Sequence, residues 1–89
     1  MALNDLPASS DVSLKYMLSG DMLAARLKRG WTQAYASECI SITSREYQSI
    51  EGGKRLPNII TFLKILFLFE LDIEKYREVV SFDIPVSPC

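Results

Sequence analysis

The chain has no histidine and only two cysteines, Cys39 and Cys89. That excludes a His-dependent catalytic triad and an imidazole metal site. Two cysteines so far apart form neither a zinc-ligand spacing nor a disulfide framework. The remaining Asp, Glu, Lys and Ser side chains show no spacing that sets a nucleophile beside its base, so the expectation is no enzyme, no metal and no cofactor. A long hydrophobic run is also missing. The most apolar stretch, residues 59–71, is interrupted by Lys64 and falls short of the roughly 20 residues that span a bilayer. The first residues, MALNDLPASSDV, have neither the basic start nor the apolar centre of a secretory signal. A cytoplasmic protein with no membrane contact is expected, in a reducing compartment that suits the sparse cysteines.

What is present suits one small folded unit. In 89 residues, 48 % hydrophobic and 24 % charged side chains are ordinary globular values, and a chain this short has room for a single core. The net charge of −1 conceals an uneven arrangement. Residues 22–55 hold Arg26, Lys28, Arg29, Arg45, Lys54 and Arg55 against Glu38, Glu46 and Glu51, a net +3, while the segments on either side are each −2. A basic middle third is where an acidic partner would bind.

With only four glycines and four prolines, the boundaries are easily placed. Residues 1–18 read as an arm or a short extra helix, with Asp11 able to start a turn through Met17. Ser19-Gly20-Asp21 gives the stronger start signal for a first main helix ending at Gly30. Thr32 caps a short second helix, on which Tyr35, Ala36, Cys39 and Ile40 fall at helical spacing. Thr43, with Glu46 three residues later, caps a third, which stops at Gly52-Gly53. Asn58 caps a fourth, apolar nearly all round and expected to be largely buried, and Asp72 opens a fifth running to Val80. Beyond it Val80, Phe82, Ile84 and Val86 alternate with polar residues, the period of a strand. The domain is therefore placed at residues 19–80, with 81–89 as a C-terminal strand or tail. Trp31 reads as a core or shoulder residue and Cys39 as a bland thiol, while the sequence assigns Cys89 no role.

Two short helices joined by a tight turn, with a basic helix before them, suggest a helix-turn-helix. Residues 23–76 resemble the Cro/lambda-repressor-like DNA-binding family (the xenobiotic-response-element type) without a gap. The resemblance runs through Arg26 and Gly30-Trp31-Thr32-Gln33, then Ile42-Thr43-Ser44, then Ile50-Glu51-Gly52-Gly53-Lys54-Arg55-Leu56-Pro57. The last run is the most specific. Ala36, Ser37 and Ser41 depart from the family pattern, which favours Leu-Ala at the first two positions and Gly in the inter-helix turn. The resemblance implies a mainly α, five-helix lambda-repressor-like domain, here with a short C-terminal strand.

On the third helix Tyr47 and Ile50 point inward, leaving Ser44, Arg45, Gln48 and Ser49 on the opposite face as candidate base contacts. Arginine grips guanine O6 and N7 bidentately and glutamine reads adenine, which makes Arg45 the first candidate. Lys54 and Arg55 would hold phosphates, as would Thr32, Gln33 and Thr43 at the starts of the second and third helices. The resemblance gives Gln33 its backbone-bracing role and pairs Arg26 with Glu51 as a structural ion pair. Together these imply a sequence-specific transcription regulator that binds double-stranded operator DNA, a repressor more simply than an activator because no effector domain follows. Two half-sites imply a homodimer on a palindromic operator, through Val80, Phe82, Ile84 and Val86 or through the helices around Phe62, Leu66 and Phe69. A tail packed on the fourth and fifth helices competes with the strand. The alternative function is an antitoxin or anti-regulator that chiefly binds a protein partner.

Overall fold

The computed structural model describes residues 10–79, folded as four α-helices and one 3₁₀ turn: α1 Ser10–Arg29, α2 Gln33–Cys39, α3 Ser44–Glu51, α4 Ile59–Phe69 and the turn Ile73–Tyr76. The domain is small and mainly helical, with four α-helices among the described residues where five were expected. The C-terminal strand and its face Val80, Phe82, Ile84 and Val86 lie outside the described residues.

The expected caps of α2, α3 and α4 act as read. Thr32 and Thr43 accept the backbone N–H groups of Tyr35 and Glu46, each at 3.0 Å, and Asn58 accepts that of Thr61 at 2.8 Å. The start of α1 is different. Instead of beginning at Ser19-Gly20-Asp21, the helix runs unbroken from Ser10 through Gly20, so residues 10–18 are part of the main helix and not of an arm. Leu14, Leu18, Met22 and Ala25 share one face, and Leu18 and Met22 are fully buried. Burying two such side chains stabilises by about 1.5–3 kcal/mol each, which outweighs the roughly 1 kcal/mol cost of an interior glycine. Ser19 and Asp21, freed from capping, find distant partners. The Ser19 hydroxyl donates to the Glu51 carbonyl oxygen, and the Asp21 carboxylate accepts from Lys75 Nζ at 3.0 Å and from Tyr76 Oη at 2.6 Å.

The fifth helix is replaced by the 3₁₀ turn. The Asp72 side chain accepts the Glu74 N–H, and the bonds Lys75 N–H to Asp72 O and Arg77 N–H to Glu74 O close i→i+3 rings. That tighter geometry seldom extends beyond a turn. It delivers Tyr76 to the core, with its ring edge-on to Phe62 at 5.8 Å and its hydroxyl on Asp21.

One consequence falls on α4. It is not largely buried: Thr61, Ile65, Leu66 and Phe69 face the core, but Ile59, Ile60 and Phe67 are exposed, Phe67 by 76 %. Among the described residues, the other elements cover one side of α4 and leave the other exposed. The buried set that closes the core is Leu18 and Met22 from α1, Ala36 and Ile40 from the second helical segment, Tyr47 and Ile50 from α3, Ile65, Leu66 and Phe69 from α4, and Tyr76.

Two phenols in this core tie stability to pH. Burial pushes the Tyr47 hydroxyl well above its ordinary value, with the nearby Glu51 adding to the shift, and burial followed by the hydrogen bond to Asp21 does the same for Tyr76. A raised value means the folded state holds the proton more tightly than the unfolded chain does. The stability so gained is complete below about pH 10 and is lost as pH rises beyond it. Urea unfolding should show a plateau near neutral pH and a loss above pH 10. The Tyr47 hydroxyl is buried with no hydrogen-bond partner among the described residues, so Tyr47→Phe should leave neutral stability unchanged or raised while softening the alkaline loss. Tyr76→Phe should cost about 1.5 kcal/mol at neutral pH through the bond lost to Asp21.

Candidate nucleic-acid interface

The α2–α3 unit is held together at its turn. Ile40, Ser41 and Ile42 return their N–H groups to Ser37, Glu38 and Ser37 carbonyls respectively. Ser41 takes a left-handed conformation, φ 58°, at the position where the resemblance favours glycine. Buried Ser37 donates to the Ala34 carbonyl at 2.8 Å, and its hydroxyl lies 3.4 Å from that of Ser44, so the small side chain that departs from the family pattern links the two helices. From α4, Lys64 Nζ donates to the Ile40 carbonyl at 3.1 Å, neutralising the carbonyl end of α2.

The inner face of α3 is fixed by Tyr47 and Ile50, both almost fully buried. Its C-terminus is fixed by charge. Arg26 of α1 forks onto Glu51, with Nε 2.9 Å from Oε1 and Nη2 2.9 Å from Oε2, while its Nη1 donates to the Trp31 carbonyl at 2.9 Å. The side chains are only 12 % and 3 % exposed. The Glu51 hydrogen bond holds the guanidinium in its charged form, raising its pKa against the opposing effect of burial. Two contacts of this region, Arg26 with Glu51 and Ser19 with Glu51, anchor the last turn of α3 to α1, and Arg26 with Trp31 fixes the loop that follows α1.

The opposite face of α3 is largely uncovered among the described residues. Ser44, Arg45 and Gln48 are exposed, and Ser49 is half-buried at its edge. Eight residues make a rod about 12 Å long, comparable to the width of the major groove. Gly53 closes the helix at φ 75°, with Lys54 N–H returning to the Ser49 carbonyl at 2.9 Å. This turn brings Lys54 and Arg55 out immediately beyond α3, both exposed. Arg55 lies 4.0 Å from the Glu46 carboxylate. Arg45 and Lys54 make no salt bridge among the described residues, so their charge is available to a partner.

Thr32 and Thr43 are exposed and Gln33 is half-buried. Each threonine accepts a backbone N–H as a cap and keeps its own O–H to donate. The expected site residues thus divide into a rigid support, Arg26 and Glu51, and an outward set from α2, α3 and the loop after it. Sequence reading missed three supports: Ser19, Lys64, and Arg29, whose guanidinium lies 5.5 Å from the ring centres of both Trp31 and Phe69. Trp31 itself is a half-buried shoulder, edge-on to Tyr35 at 5.0 Å. Cys39 is exposed, and among the described residues no three His, Cys, Asp or Glu side chains are grouped to hold a metal ion. No helix among them is long and apolar enough to cross a membrane.

Removing one member of the ion pair strands a buried charge, whereas replacing both does not. Arg26→Met should lower the free energy of unfolding by about 3–5 kcal/mol, and Arg26→Met with Glu51→Leu should recover most of it. Urea titrations of the two variants beside the parent measure this. Comparison of the chain with family models, with curated proteins and with solved structures finds no match in any of the three.

Proposed function

We propose that the chain is a sequence-specific DNA-binding transcription regulator, a repressor of the Cro/lambda-repressor-like type acting in the cytoplasm. It binds palindromic operator DNA as a homodimer, with α3 in the major groove. One observation carries the reading. Helix α3 is clamped on its inner face and at its C-terminus by Tyr47, Ile50 and Glu51, yet leaves Ser44, Arg45 and Gln48 exposed. A surface helix with no reading role has no need of so rigid a mount. In this reading Arg45 reads guanine, Gln48 adenine, and Ser44 and Ser49 the flanking positions. Thr32, Gln33, Thr43, Lys54 and Arg55 grip phosphates on either side and set the register.

A dimer through the helices around Phe62, Leu66 and Phe69 would not rest on those three side chains themselves. Leu66 and Phe69 are spent in the core, and Phe62 packs on Tyr76. The exposed Ile59, Ile60 and Phe67 of α4 are what that helix offers to another molecule. The same three side chains favour a second reading, an antitoxin or anti-regulator that binds a protein partner through α4, with α3 secondary.

Selection of retained duplexes from a random pool, followed by gel shift, separates the two readings. The DNA reading expects an enriched palindrome whose binding weakens steeply with salt. Lys54→Ala should reduce the log–log salt slope by about 0.9. Arg45→Ala should cost about 1–3 kcal/mol and relax preference at one or two base pairs, leaving non-specific binding nearly unchanged. No enrichment, with α4 variants abolishing capture of a protein partner, decides for the second reading.

A further inference from the structure

The face of α1 turned away from the core is apolar where a surface helix ordinarily carries its charges. Tyr16, Gly20, Leu23, Ala24 and Leu27 recur at i, i+4, i+7, i+8 and i+11 and share one side. All five are exposed, Tyr16 by 67 % and Leu27 by 61 %. The charged residues lie on the flanks, and Asp21, Arg26 and Arg29 are turned into contacts with their own fold. In the middle of the stripe stands Gly20. A Cβ added there would meet nothing within 4 Å, and its φ is not in the left-handed region. The described fold therefore gives no reason for a glycine that costs the helix about 1 kcal/mol. What it leaves is open space on the helix surface beside Tyr16, Leu23 and Ala24.

We propose that this face is the docking site of the chain's own C-terminal segment, residues 80–89, laid along α1 in extended form. The end of the described chain is already tied there. Lys75 and Tyr76 both bond Asp21, the residue after Gly20, at 3.0 and 2.6 Å, and Val79 packs at the border of the core. Ten residues follow, with an extended reach of about 33 Å, while the stripe from Tyr16 to Leu27 is about 16 Å long. Five residues cover it, and residues 82–86 carry the matching pattern: Phe82, Ile84 and Val86 on one side, Asp83 on the other. The flanks complement the charge. Lys28 borders the stripe without a salt bridge among the described residues, and the segment carries Asp83. Pro85 costs nothing on a helix surface, where no ladder of N–H groups is required, but it would interrupt a strand paired with its copy. The segment is thus assigned to its own subunit, independently of any reading of α3.

A double-mutant cycle in the full chain tests this. One arm is Leu23→Gln with Leu27→Gln, which keeps good helix formers. The other is Phe82→Ser with Ile84→Ser. Thermal unfolding and sedimentation velocity are read for the parent, each arm and the combination. Each arm should lower Tm by about 5–10 °C, the combination no further than either arm alone, and the oligomeric state should stay that of the parent. Additive losses, an arm without effect, or conversion of a parent dimer to monomers by either arm would each overturn the assignment, the last by placing the segment between subunits.

Discussion

The fork of Arg26 on Glu51 is the contact on which the placement of α3 depends. An ion pair buried to this extent contributes little net stability, since the desolvation of both groups offsets most of their attraction. Its value is geometric. A guanidinium has a fixed plane and fixed N–H directions, so a carboxylate held by two of them and a carbonyl held by a third cannot rotate without breaking all three. The last turn of α3 therefore inherits the orientation of α1. The rest follows from that constraint: Tyr47 and Ile50 go into the core, and the polar face has only one direction left.

The unusual residues of the α2–α3 turn become intelligible on the same basis. Ser37 is small enough for α3 to approach α2 closely, and its hydroxyl satisfies a carbonyl on the way. Ser41 accepts a left-handed backbone, at a cost on the order of 1 kcal/mol, because the bonds of residues 40–42 to Ser37 and Glu38 over-determine the turn. Lys64 reaches across from α4 to the last carbonyl of the turn's first residue, so that the helix with the greatest apolar surplus also braces the unit from behind.

Much of this was legible in the chain. Thr32, Thr43 and Asn58 announce their helices because capping is a local event, decided within three residues. The inward pair Tyr47 and Ile50 is likewise set by helical period alone, and the run from Ile50 to Pro57 pointed to Glu51 and its arginine. What sequence could not show was governed by distant partners. Ser19-Gly20-Asp21 has the composition of a helix start, but Ser19 is drawn to Glu51 and Asp21 to Tyr76, thirty-two and fifty-five positions away, and helix continuity follows from burying Leu18 and Met22 together. The exposure of α4 was equally hidden. Its composition says apolar all round, whereas how many neighbours it receives depends on the fifth segment stopping after one 3₁₀ turn.

The bond between Tyr76 and Asp21 bears on when the protein becomes a protein. Residues of the first helix find their core partners in α3, in α4 and in a turn that ends at Tyr76, and no earlier fragment closes the hydrophobic set. During synthesis the N-terminal half would expose Leu18 and Met22 until residues beyond position 76 had left the ribosome. Larger proteins can fold domain by domain as they emerge. This chain has to wait for Tyr76, and the core of its described residues then closes as one cooperative unit.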